Sequence, residues 1–301
     1  MSTESGDRPG SSPDQSVSPS STRKADYSSS VLRLWRPAAQ RNLRNQWSNL
    51  VSGKLKWGSA SDSGRAHATA LVNAYLSQRC MISMELGVLK DLADIRPKAC
   101  QKLSKQQDSH RCKLLSSYAS LVAAVSQMVN AHESMRCYRN QATDSHIMKF
   151  SNTPADKNDN GDGGGIPVFT FLSVPFSENL AQELVEMFQF ELTLKRLLIL
   201  ELLAVGCEEK DCDKMSWHDE LYLGEFEDLA LCHLYKTKAG EVSSTGLKGR
   251  HFGVPSEQKS KLNNATFQVY LTTWIAEVNI DSRRVNEILA LVGEDMNVCF
   301  R

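Results

Sequence analysis

Apolar residues return along this chain at helical intervals far more often than at alternate positions. The clearest case is Leu114, Tyr118, Leu121, Val125, Met128, His132 and Met135, whose steps of 4, 3, 4, 3, 4 and 3 place them on one helix face. Leu115, Val122 and Val129 widen that stripe, which predicts a helix buried in a bundle more than an isolated two-stranded coiled coil. Upstream, Leu71, Tyr75, Ile82, Leu86 and Leu89 share a second face. Pro97 predicts a break near Asp94 to Arg96, because the residue before a proline avoids the helical region.

Past the middle of the chain, Ser177 reads as the N-cap of a long helix carrying Leu180, Leu184, Phe188, Leu194, Leu198 and Leu202 to Gly206. Shorter helices are expected from Ser216 past Gly224 to Tyr235, and from Ser256 with Leu262, Val269 and Ala276 at intervals of seven. A last one starts at Asp281, turns Val285, Ile288, Leu289 and Val292 inward, and stops at Gly293. The stretch IPVFTFLSV after the Gly-rich loop predicts one short strand, or an extended segment lying on helices.

These elements make an all-α protein of about six or seven helices in an elongated bundle. Residues 1–30 form a Ser/Pro-rich tail expected to be disordered, since it has almost nothing apolar to offset the entropy of ordering. Residues 31–150 form an N-terminal helical region, 151–175 a flexible Gly-rich loop with the extended segment, and 176–301 a C-terminal helical region. Ser12-Pro13 and Ser18-Pro19 are minimal sites for a proline-directed kinase.

Composition narrows the setting without naming a reaction. Hydrophobic residues at 41% and charged residues at 23% are ordinary for a globular chain. The eight cysteines follow no framework spacing and no apolar signal opens the chain, which together predict a reducing compartment, nucleus or cytoplasm. The apolar run LLILELLAV is interrupted by Glu201 and is less than half a bilayer span, so no membrane association is expected.

A net charge of zero hides an asymmetry. Arg23 to Trp57 holds eight basic residues against one acid, and Cys207 to Asp228 holds nine acids against two lysines. Pairing between these two segments is one expectation. Within residues 31–57, Pro37 suits a first helical position, and Ala39, Leu43, Trp47, Leu50 and Val51 then form an apolar stripe. Trp47 is expected to pack, whereas Trp35 before the proline and Trp57 after a glycine-bearing turn are expected to be freer. The candidate partner-binding residues are Trp35, Arg36, Arg41, Arg44, Trp47, Lys54, Lys56 and Trp57, a cationic and aromatic segment suited to nucleic acid or to acidic tails such as tubulin's. Gln46-Trp47 resembles the opening of the Gln-Trp-Arg-Phe motif of plant microtubule-associated proteins. Ser48-Asn49 replaces its second half, and no family follows from the dipeptide.

Three other constellations fail on their chemistry. His132-Glu133-Ser134-Met135-Arg136 begins like a zinc protease helix, but Arg136 stands where the second histidine belongs and would repel a cation. Asp156 to Gly161 matches the first half of a calcium loop whose closing glutamate is here Pro167. Cys207, Cys212, His218, Cys232 and His233 lack the two-residue knuckle of zinc motifs. No catalytic, cofactor or metal residue is assigned. The expected function is a non-enzymatic helical interaction or scaffold subunit of an intracellular complex, nuclear or spindle-associated, its oligomeric state open; the alternative is a binder of nucleic acid or microtubules through residues 31–57.

Overall fold

Two long helices form the frame. In the computed structural model, which describes residues 29–92, 94–135, 166–206, 218–238, 241–244 and 264–300, α1 spans Ser29–Ser83 and α2 spans Ile95–Met135. At 1.5 Å per residue α1 is about 80 Å long, which makes the molecule elongated. A 3₁₀ turn at Gly87–Leu89 joins the two helices, and Pro97 lies in the first turn of α2, where its missing N–H costs nothing. The helices run antiparallel: Asn42 donates to the Ser134 carbonyl at 3.1 Å, Lys56 to Gln127 at 2.7 Å, and Ser63 meets Ser117 at 3.0 Å.

α1 differs from the expectation at both punctuation points. It begins at Ser29 instead of Pro37, so the proline lies inside it and removes one hydrogen bond near the end. It also runs unbroken through Gly53, where a turn was expected before Trp57, and on through Gly58. The glycines serve close approach. A Cβ at Gly53 would stand 2.5 Å from Met128 Cγ, and one at Gly64 would stand 2.5 Å from the Trp274 ring.

The remaining elements cover one side of this hairpin. α3 (Val174–Leu203) starts at Ser173, with Pro175 in its first turn, so Ser177 is a buried interior residue and not the cap. Gly206 closes it at φ 76°, as expected of a helix stop. α4 (Glu225–Leu231) is shorter than expected, because Gly224 adopts a left-handed conformation ahead of it and Tyr235 already begins strand β1. That strand (Tyr235–Lys238) pairs antiparallel with β2 (Glu241–Ser244), a small ribbon where a helix end and a loop were expected. In α5 (Asn264–Ala276) the buried pair is Phe267 and Trp274, while Val269 faces out, so the seven-residue spacing was right and its register wrong. α6 (Ser282–Met296) matches closely: Asp281 accepts from the Arg283 and Arg284 amides, and Val285, Ile288, Leu289 and Val292 are buried. It runs one turn past Gly293, to a left-handed Asn297.

The core lies where α2 meets its neighbours. Every residue of the 114–135 stripe is buried, His132 included, which accounts for that histidine within a helix interface. One window of α2 is long and apolar enough to cross a bilayer, and half of it is buried within the protein, the pattern of a core helix. Arg284 grips Glu183 through Nε and Nη2 at 2.5 and 2.7 Å, tying α6 to α3 and holding the Glu183 carboxyl below its usual range. The 1–28 tail and the 136–165 loop lie outside the described residues.

Candidate interaction surface

The basic segment of α1 is used from within. Arg36 donates to the Val168 carbonyl at 2.9 Å and the Phe169 carbonyl at 2.8 Å, Gln40 donates to Val168 at 2.8 Å, and Arg44 stacks over the Phe169 ring at 4.9 Å. From the other side Asp295 Oδ1 accepts the amides of Thr170, Phe171 and Leu172 at 3.0, 2.7 and 2.9 Å. Residues 166–173 are therefore a bent loop pinned on helices, closed by the Val168 amide on the Leu172 carbonyl at 2.9 Å, and neither the strand nor the extended segment expected. Trp47 and Trp57 are buried and unavailable to a partner. Trp57 donates to Glu277 at 3.1 Å and meets Phe188 edge-on at 5.4 Å, which corrects the expectation that it would be freer. The Trp35 side chain lies outside the described residues. Of the eight candidates, Arg41 is exposed, Lys54 half-buried, and Lys56 exposed with its ammonium on Gln127.

The acidic segment has other partners. Glu208, Glu209, Asp211 and Asp213 lie outside the described residues, while buried Glu225 holds Arg196 Nε at 2.8 Å and accepts from Tyr118 at 2.6 Å and the Leu221 amide at 2.6 Å. Asp228 accepts from Tyr222 at 2.9 Å. Among the described residues no ion pair joins the two segments.

Two buried cations that the sequence reading passed over fasten the core. Burial opposes the Arg196 charge, and Glu225 outweighs it, so its pKa is raised; burial and then Glu225 push Tyr118 well up as well. The adjacent Lys195 lies 3.4 Å from Glu191 and 4.0 Å from Glu277, donates to the Trp274 carbonyl, and sits 4.5 Å over the Trp274 ring. Burial lowers its pKa against the pull of those carboxylates. Both clusters bridge elements and are closed by their own partners. The only hint in sequence is a Lys-Arg pair inside an otherwise apolar helix.

Among the described residues no group of His, Cys, Asp and Glu side chains could hold a metal. Cys232 is buried, its thiol pushed up to about 12 by burial and then by Asp228, and His233 meets Glu133 at 2.9 Å. Cys207 and Cys212 lie outside the described residues.

Two surfaces remain open. A groove of about 540 Å³ on the α1–α2 seam is lined by amides and small residues, with Gln46, Asn49, Lys56, Gln127, Asn130 and Asp228 at its rim. The second is the far end of the hairpin. Arg111 donates to the Val205 carbonyl and Gln107 meets Gln78, marking where α3 ends against the hairpin. From Leu76 to Gln106 no described side chain is buried. The arm projects about 18 Å along α2 beyond Gln107, at 1.5 Å per residue. Ile82 continues the stripe of buried Leu71 yet is 59% exposed, and Met84, Val88 and Leu92 are 62%, 92% and 54% exposed. Arg96 steadies the turn by donating to the Ile82 and Met84 carbonyls at 2.5 and 2.9 Å, satisfying the end of α1. No protein-family model matches this chain, and no curated protein matches it in sequence.

Proposed function

We propose that this chain is a non-enzymatic helical interaction subunit of an intracellular complex, in the nucleus or cytoplasm, and that the α1–α2 arm is where its protein partner docks. The observation that carries this reading is the core stripe of α1, buried at Leu71 and exposed at Ile82, with nothing among the described residues covering the arm past Tyr75. Ile82 at the end of α1 and Met84, Val88 and Leu92 in the turn beyond it leave large apolar side chains exposed at the tip, the kind of surface that marks a protein partner's site. The test is site-specific photocrosslinking in cells, with p-benzoylphenylalanine at Ile82, at Val88 and, as control, at exposed Arg283. Adducts to other proteins at 82 and 88 that are absent at 283 and lost in Met84→Asp support it; equal adducts at all three positions, or none, refute it.

A further inference from the structure

One face of the arm is electrostatically uniform. Lys98, Lys102 and Lys105 follow steps of 4 and 3, Lys113 lies on the same side of α2, and all four are exposed. On α1 the seam toward this face is fixed by the Lys56–Gln127 and Ser63–Ser117 contacts, and continues at seven-residue spacing through Ala70 and Ser77, with no acid. The nearest acid in this half of α2, Asp108, is held by Arg111 at 2.7 Å. Glu85, Asp91 and Asp94 are confined to the turn at the tip. None of the four lysines has an ion-pair partner among the described residues.

We propose that this lysine row binds an acidic polypeptide segment, rich in glutamate or aspartate, lying extended along α2. The proposal rests on the reading of the chain as an interaction subunit and specifies a partner chemistry. From Lys98 to Lys113 the row is about 22 Å long at the helical rise, which matches about seven residues of extended peptide at 3.3 Å each. Its cations are all lysines, point charges that suit carboxylates in many geometries, and it lacks the bidentate arginines that favour phosphate. No described aromatic interleaves it to stack a base. Glu85, Asp91 and Asp94 at the tip disfavour an anionic bilayer. Between the lysines, Gln101, Gln106 and Ser109 are exposed and can hydrogen-bond a peptide backbone. The acidic-partner site is thus placed on the first half of α2 and not on residues 31–57, whose Arg36 and Arg44 hold Val168 and Phe169.

Fluorescence anisotropy with a labelled deca-glutamate peptide tests this on the full chain at low and moderate salt. Binding is expected, falling steeply as salt rises. It is expected to drop at least about tenfold in Lys98→Glu/Lys102→Glu/Lys105→Glu and to change less than about twofold in Arg41→Glu/Lys54→Glu, both checked for an unchanged melting curve. The proposal is overturned if the peptide does not bind, if the α1 variant loses binding and the α2 variant keeps it, or if a thymidine 20-mer or phosphatidylserine vesicles bind more tightly than the peptide. Crosslinking at Ile82 that persists while the peptide fails to bind would leave the interaction reading standing and remove the lysine row from it.

Discussion

The same two helices behave as two different objects on either side of Tyr75 and Gln107. Below that level Trp47, Trp57, Leu114 and Tyr118 are buried, α3 holds α4 through Arg196 and α5 through Lys195, and Asp295 of α6 holds the 170–172 amides. Above it the contacts among the described residues lie within the hairpin, such as Arg96 on the Ile82 and Met84 carbonyls, and Ile82, Met84 and Val88 are exposed. The apolar stripe of α1 skips one turn at the boundary, where Gln78 and Arg79 follow Tyr75, and resumes at Ile82. A stripe therefore says which face of a helix wants cover; the length of the neighbouring helix decides how much of it gets cover.

The largest effect expected in the covered half is from Glu225→Ala, which leaves Arg196 buried without its carboxylate and should cost about 3–5 kcal/mol in urea denaturation. Next comes Asp295→Ala, which strips three amides at 170–172 of their acceptor and should cost about 1–3 kcal/mol in the same assay. A smaller, pH-dependent effect belongs to His67, whose ring lies 5.7 Å from that of His110. Burial first, then His110 and Lys113, lower its pKa below the ordinary 6.5. The unfolded chain then takes the proton more readily than the folded one. The His67 term is absent above 6.5 and reduces stability as pH falls below that value, and His67→Asn should flatten that dependence in melts recorded from pH 7.5 to 5. The smallest effect should come from the arm, where Ile82→Ser should change stability by no more than about 0.5 kcal/mol. A cost above about 2 kcal/mol would mean that the arm is packed after all and would erase the contrast.

What was legible in the sequence follows from what periodicity can carry. The 114–135 stripe and the Asp281 cap with its four inward residues were readable because burial there repeats with the helix turn. The continuity of α1 was not, because the glycine at 53 reads as a turn until the opposing Met128 is known. Lys195 and Arg196 were missed because the i,i+4 pair Glu191–Lys195 reads as a solvated surface pair until its burial is known, and the carboxylate of Arg196, Glu225, is distant in sequence. Of the candidate site, the charge of residues 31–57 was legible and its use was not. Arg36 and Arg44 hold a segment more than a hundred residues away. The lysine row on α2 was in plain view in the sequence, and only the geometry of the hairpin shows it exposed on one face.

Amide hydrogen exchange of the isolated chain, resolved by peptide mass spectrometry, tests the central contrast most directly. Amides of α1 from 43 to 72 and of α2 from 114 to 132 should exchange slowly together, with the arm from 76 to 83 and 95 to 106 exchanging markedly faster through local opening. Equal protection along both helices would contradict the account, because it would mean that the arm is already covered and has no face left to offer.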